Sequence, residues 1–550
     1  MKRSMLAKLA AAVTAAATLA VLSGCSGGGA SSGDVLTIGM PNGPQSNNSN
    51  PFAPTSSAVV LGYRGMMYEP LAQINPTLPD RDPVPWLAKS WKWSEDYKSV
   101  EITARDGVKW SDGEKFSADD IAYTFKMLEK YDAFNANALP FDDISVSGDT
   151  VKLSFDVPEF VNQTKVINQF IVPEHIWSKI KDPEKDANQK PVGTGPYTLK
   201  AWTQQAISFV PNNDYWGGKP KVPEVRWTSY TDNNAMLTAL LNGQAQWSYV
   251  FIPDIEKTYV SKSETNKNWQ PTGLGIDALF FNTTKAPFDN VAVRKAVNMV
   301  VDRQSINTQG YSGFKGLVDN VNGLPSPAGD SFAAPEYKDK KATIDVDGAK
   351  KVLTDAGYTY SGDKLMDPSG NPVTFTLVDP AGWSDYLASL QIISDNVKKI
   401  GIDAKVETAT VDNWTAAVQN GDFQATLHWT NTGATPWDIY SNIMDGTQLK
   451  PIGTTANWNF GRFDSPEATK ALADYANTTD DAARTTAMNT LQKIFVEQVP
   501  AIPVAAGPMG AEYSTKHFTG WPDEKDPYAV SQPTQPSISQ VLMKLEPVKK

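Results

Sequence analysis

The chain has 550 residues, 41% hydrophobic and 20% charged, and its 61 acidic residues outnumber 50 basic ones for a net charge of −11. That length supports two to four structural units around more than one core, and the acidic balance argues against nucleic acid and against a broad basic membrane-binding face. The single cysteine leaves stability to packing, and His175, His428 and His517 stand far apart without Cys, His or carboxylates at ligand spacing, which argues against a metal site.

In chain order, Lys2, Arg3 and Lys8 precede an apolar stretch from Leu9 to Leu22 that is too short and Ala-rich to span a bilayer comfortably. Leu22-Ser23-Gly24-Cys25 then matches a lipidation site at every position. Residues 1–24 therefore read as an export leader and Cys25 as a lipid-bearing N-terminus, with 25–33, rich in Gly and Ser, as a flexible tether. The leader holds three of the basic residues and no acidic one, so the remaining body is more acidic still. An exported body anchored outside a membrane is the expectation.

The body opens with a strand at Val35-Leu36-Thr37-Ile38-Gly39, followed by a loop at Asn48-Ser49-Asn50-Pro51-Phe52. Val100, Ile102 and Ala104 alternate along a strand, Asp106-Gly107 and Ser111-Asp112-Gly113 make turns, and Ser117 with Asp120 three residues on caps a helix whose buried stripe is Ile121, Phe125 and Leu128. Val151, Leu153, Phe155 and Val157 alternate as another strand. In Gly193-Thr194-Gly195-Pro196-Tyr197 the proline and the strand-like residues behind it deny a phosphate-binding helix start, so the segment reads as a turn entering a strand. A helix follows Pro287-Phe288-Asp289, with Val293, Val297, Val300 and Val301 on one face and Arg294 and Asp302 as surface or interface ion-pair formers.

Residues 373–430 alternate strand, helix, strand, helix, strand, with strands at Val373 to Val378, Ile402 to Glu407 and Phe423 to Trp429 and helices ending at Gly401 and near Gly421. This spacing predicts an α/β unit with a parallel sheet, whose ligands bind beyond the carboxyl ends of the strands. Asp379-Pro380-Ala381-Gly382-Trp383 and Trp429-Thr430-Asn431-Thr432-Gly433 lie there, so two tryptophans and an amide should face one crevice. No nucleophile elbow and no P-loop occur, and carboxylates are too many for a glycosidase-like pair to be informative.

Tyr68-Glu69-Pro70-Leu71, Trp110-Ser111-Asp112-Gly113, Gly193 to Tyr197, Asn212-Asn213-Asp214-Tyr215-Trp216, Phe281-Asn282-Thr283 leading into Val293-Arg294-Lys295-Ala296, and Pro500-Ala501-Ile502-Pro503 occur in this order through almost the whole body. Together they resemble the family 5 extracellular solute-binding proteins of ABC importers. The resemblance implies a two-lobed α/β clamshell of the periplasmic-binding-protein kind (type II, cluster C) that closes over ligand and makes or breaks no bond. It implies lobe I from 34–62, 192–285 and 500–550, an extra subdomain of lobe I from 63–191, lobe II from 286–499, and a hinge near Phe281-Asn282 and Pro503-Val504. ABC permease subunits are the implied partners, a monomer the implied state, and no cofactor is required.

Peptide-binding members of that family carry an Asp for the ligand ammonium in a Trp-x-x-Asp-like stretch. The equivalent stretch here, His428-Trp429-Thr430-Asn431-Thr432-Gly433, offers hydroxyls and an amide instead. A buried ammonium without a counter-charge costs several kcal/mol, so a neutral, hydroxyl-rich ligand such as a β-linked oligosaccharide is favoured. Tryptophan faces suit sugar rings, and amides and hydroxyls match sugar hydroxyls. Trp521-Pro522 with Asp526-Pro527-Tyr528-Ala529 is also similar to the tail of oligosaccharide-binding members. An oligopeptide is the alternative, with Asp438 or Asp445 as the ammonium partner; a surface glycan hydrolase and a ligand sensor are further readings. Candidate ligand contacts are Trp383, Trp429, Thr430 and Asn431, followed by Trp437, Trp458 and Trp521, with Asn282 as a hinge or cleft residue.

Overall fold

A computed structural model describes residues 35–78, 81–137 and 139–549. Cys25, the leader and the tether lie outside the described residues.

Val35–Met40 is the centre of a seven-stranded mixed sheet. It runs parallel to Glu224–Ser229 on one side and to Trp247–Ser248 on the other, and the sheet continues outward to Tyr197–Trp202 and to Asn266–Trp269. A four-stranded antiparallel sheet from Ala88–Trp93, Ser99–Ala104, Phe141–Ser147 and Thr150–Phe155 carries the helix Ala118–Lys130. Ser117 caps that helix in a reciprocal box with Asp120, and Ile121, Phe125 and Leu128 are fully covered. These two sheets share one continuous apolar core, in which Ile102, Phe125 and Leu153 join Phe209 and Trp227. The extra unit is therefore an outgrowth of the first lobe. It begins later than position 63, because Tyr63 packs on Phe209 and Trp227 of the seven-stranded sheet.

The second lobe is built on a six-stranded sheet ordered Gly316–Leu317, Ala501–Pro508, Thr272–Phe281, Ala425–Trp429, Thr374–Pro380 and Asp403–Ala409. Thr374–Pro380 runs parallel to both Asp403–Ala409 and Ala425–Trp429, with the helices Ser384–Lys398 and Val411–Asn420 as crossovers. Helices cover both faces, so the strand Thr272–Phe281 is apolar on both sides. Ile276, Ala278 and Phe280 enter one core with Trp414, Tyr440 and Phe495, while Leu279 and Phe281 enter another with Val297, Leu377 and Leu390.

The crossing between lobes differs from expectation. Asn266–Trp269 pairs with Ala511–Ser514 in the first sheet, whereas Thr272–Phe281 pairs with Ala501–Pro508 in the second. The chain thus passes between lobes at Gln270-Pro271 and at Met509-Gly510, and not near Phe281-Asn282 and Pro503-Val504. Residues 272–281 and 501–508 belong to the second sheet. The sequence shows no break there because both crossing segments are extended strands on either side of the change. The backbones meet too closely for side chains: Met509 N–H donates to Pro271 O at 2.8 Å, and a Cβ at Gly510 would fall 1.8 Å from Trp269 O.

Arg294 and Asp302 also behave differently from expectation. Arg294 is buried and donates to the carbonyls of Phe288, Gln498 and Val499, closing the end of the helix Asp481–Gln498. Asp302 caps the short helix Arg303–Ser305. Backbone carbonyls left open at a helix end take the place of a carboxylate partner.

Candidate functional site

The parallel register of Thr374–Pro380 with Ala425–Trp429 brings Trp383 and Trp429 to the same edge of the second sheet, with ring centroids 6.2 Å apart. Around them stands an aromatic tier. Trp414, buried in the helix Val411–Asn420, lies 5.2 Å from Trp383 and stacks on His428 at 5.3 Å, and His428 stacks on Trp429 at 4.2 Å. Trp458 approaches His428 edge-on at 6.1 Å. Burial pulls His428 down to about 4, so its imidazole is neutral near pH 7, and its Nδ1–H donates to Trp429 O at 2.8 Å. Trp414 is closed off, whereas Trp429 is 41% exposed. Part of the Trp429 indole is thus left exposed on a rigid aromatic support.

The first lobe meets this edge directly. Asn233 N–H donates to Gly382 O at 3.2 Å, and Asn233 Nδ2 donates to Ser384 Oγ at 3.0 Å. A Cβ at Gly382 would lie 2.5 Å from Thr231 O, so only glycine lets the lobes come this close. The extra unit closes the other side. Lys165 Nζ reaches Asp438 at 2.8 Å and lies 4.4 Å from the Trp437 ring centroid, Lys450 pairs with Asp132 at 2.9 Å, and Arg484 sits over Phe160 at 4.4 Å. Between them is a cavity of about 20 Å³ bordered by Asn137, Lys165, Asn431, Trp437, Asp445 and Trp458. The lobes are therefore in contact over this edge. A cavity of about 660 Å³ near Arg294, Arg462 and Glu497 lies wholly within the second lobe, away from the aromatic tier.

The remaining sequence candidates separate. Asn431 borders the cavity, and its N–H donates to Asn442 Oδ1 at 2.7 Å. Thr430 is buried, and its Oγ1 accepts from Ile276 N–H at 3.0 Å, tying the loop to the crossing strand. Trp437 donates through Nε1 to Leu472 O at 3.0 Å and offers a ring face to Lys165. Trp521 does not reach the cleft: it stacks on Tyr513 at 4.7 Å inside the first lobe and donates to Phe518 O. Asn282 does not either. Asp277 pairs with Trp429 and Phe281 with Ala425, so Asn282 stands at the far end of that strand. Its amide is used up by Gly421 O, Thr284 N–H and Thr284 Oγ1.

Sequence reasoning missed Lys165, which has no local signal because its partner is far along the chain. It also missed a buried charged group behind the aromatic tier. Lys315 Nζ lies 2.5 Å from Asp277 Oδ2, 3.5 Å from Asp385 Oδ2 and over the rings of Tyr311 and Tyr386. The signal available was Asp277 inside an otherwise apolar strand. Asp438 and Asp445, the alternative ammonium partners, are engaged: Asp438 by Lys165, and Asp445 by the N–H and hydroxyl of Thr447 at 2.9 and 2.8 Å. Among the described residues, no group of His, Cys, Asp or Glu could hold a metal ion, and no helix is long and apolar enough to cross a membrane.

A family model described as bacterial extracellular solute-binding proteins, family 5 (middle), matches residues 82–450. The oligopeptide-binding protein AppA of Bacillus subtilis is 26% identical over 417 residues, covering 72% of this chain and 73% of that protein. The nickel-binding periplasmic protein of Escherichia coli is 26% identical over 437 residues, covering 76% and 80%. Among solved structures, the mannohexaose-bound periplasmic oligopeptide-binding protein of an ABC transporter from Thermotoga maritima superposes with a TM-score of 0.85 at 25% identity, covering 95% of this chain and 100% of that one.

Proposed function

The chain belongs to the family 5 bacterial extracellular solute-binding proteins, the substrate-binding proteins of ABC importers rather than enzymes, and from that premise we propose that its solute is a neutral, extended oligosaccharide, β-linked. The observation that carries this reading is the part-exposed Trp429 on its aromatic tier, two residues before Asn431, which borders a small interlobe cavity whose one carboxylate, Asp445, is already engaged by Thr447. An indole face stacks on the apolar face of a sugar ring, and Asn431 and Asn137, which border the cavity, offer amide donors and acceptors for hydroxyls. Trp383 braces Trp429, and Trp437 and Trp458 extend the aromatic wall. Ligand bridging the lobes shifts the population toward the closed form, which is what the permease subunits receive.

The mannohexaose bound by the Thermotoga maritima protein favours a saccharide. The oligopeptide-binding relative favours the second reading, a peptide. In the proposed arrangement, Cys25 carries the lipid that holds the body at the outer face of the membrane, as a monomer. The test is a thermal-shift screen of residues 26–550 against neutral oligosaccharides, mannohexaose and cellohexaose among them, and against short peptides. A ligand at 100 times its dissociation constant stabilises the folded state by about 2.7 kcal/mol. Stabilisation by saccharides alone supports the proposal, and stabilisation by peptides alone refutes it.

A further inference from the structure

We propose that Lys165 is a specificity-determining residue: on closure it delivers a resident ammonium to Asp438 and thereby denies that position to any ligand carrying its own. This rests on the reading of the interlobe cleft as the ligand site. Lys165 belongs to the extra unit, on the short helix Gln163–Ile167, and Asp438 to the second lobe, on the helix Trp437–Met444. Their 2.8 Å ion pair therefore exists only when the lobes are together, and both side chains are then largely removed from water, at 18% and 8% exposure.

The environment of Lys165 is rich in carboxylates. Glu159 is buried and held by Asn162 Nδ2 at 2.6 Å, with burial pushing its carboxyl up to about 7, and Lys165 acts against that shift. Asp445 is also pushed up by burial, and Lys165 again opposes the shift. Asp438 Oδ1 makes no directed hydrogen bond, so the ion pair is its compensation. The Trp437 ring face 4.4 Å from Nζ completes a pocket suited to an ammonium. Its occupant in the closed protein is a side chain. A ligand ammonium entering beside it meets a like charge, whereas a neutral ligand does not.

Removing the charge while keeping the hydrocarbon stem, Lys165→Met, should open the position to an external amine. The probes are Ala-Ala-Ala-amide, which carries one ammonium, and its N-acetylated form, which carries none. Binding is measured by calorimetry and thermal shift on residues 26–550 at pH 7. Wild type should show no preference for the free amine and at most favour the N-acetylated peptide, whereas Lys165→Met should prefer the free amine by about tenfold or more. Lys165→Met/Asp438→Asn should lose that preference. Should Lys165→Met not fold, Lys165→Gln keeps a neutral donor on Asp438 and should show the same preference at threefold or more.

A wild-type preference of tenfold for the free amine overturns the proposal. So does a folded Lys165→Met or Lys165→Gln that treats the peptides alike or binds neither, or a preference that survives Asp438→Asn. The peptide pair reads the masking alone. A wild type that ignores every neutral saccharide would instead overturn the oligosaccharide reading and leave this result standing.

Discussion

Lys315 is the cation of a buried group of three carboxylates, and replacing it with methionine is the sharpest perturbation of this fold. Its Nζ is 2.5 Å from Asp277 and 3.5 Å from Asp385, and all three side chains are under 10% exposed. Asp379 stands nearby, fully buried: its Oδ2 accepts from Leu427 N–H at 3.0 Å, Oδ1 has no partner, and burial pushes its carboxyl well above the usual range. Burial also raises Asp385, and Lys315 is the main influence holding it down. Removing one partner from such a pair costs about 3–5 kcal/mol, a large share of a total stability of about 5–15 kcal/mol. Asp385 and Asp379 are held above their unfolded-state values by burial, and without Lys315 Asp385 titrates higher still. Stability is then retained at low pH and lost as pH rises through the raised values, so the defect should be smaller at pH 5 than at pH 8. Urea unfolding at both pH values measures it, and Lys315→Met/Asp277→Asn should recover part of the loss at pH 8. A cost below about 1 kcal/mol at pH 8, or an equal cost at pH 5, would refute the reasoning.

Trp429→Ala removes an exposed indole, so it should lower ligand affinity roughly five- to tenfold, about 1 kcal/mol, while barely moving the melting temperature; calorimetry and a thermal scan check both. Gly382→Ala puts a methyl 2.5 Å from Thr231 O, which should hold the lobes apart, weaken ligand affinity and enlarge the radius of gyration in small-angle scattering with ligand present. Burial pushes Glu512, at the crossing between lobes, from 4.5 up to about 8. The folded state therefore keeps a proton the unfolded chain has lost, and the resulting stability is full below about 4.5 and gone above about 8. Glu512→Gln should remove up to about 1.4 kcal/mol per pH unit from the fall in stability between pH 5 and 8, as measured by urea titration, and an unchanged slope would count against the buried carboxyl.

Local chemistry was legible in the sequence. The capping box at Ser117 and Asp120, the turn before Tyr197 and the strand-helix alternation of 373–430 are set by near neighbours, and they also brought Trp383 and Trp429 together, because parallel strands carry their ends to one edge. Asn282 and Trp521 looked like cleft residues for want of register and packing: one lies five residues beyond Asp277, the strand position paired with Trp429, and so at the opposite end of that antiparallel pairing, and the other is stacked inside the first lobe. The hinge moved to Gln270-Pro271 and Met509-Gly510 because which sheet a strand joins depends on its partner's position, not on its own alternation. Lys165 and Asp438 are 273 residues apart, and Lys315 meets Asp385 only through the fold. The sequence by itself determined the elements, the family and the aromatic edge of the second lobe, since those follow from periodicity and short-range sterics. Which charges face each other across the closed lobes was decided only by tertiary structure, since burial and pairing depend on contacts between segments that the chain keeps far apart.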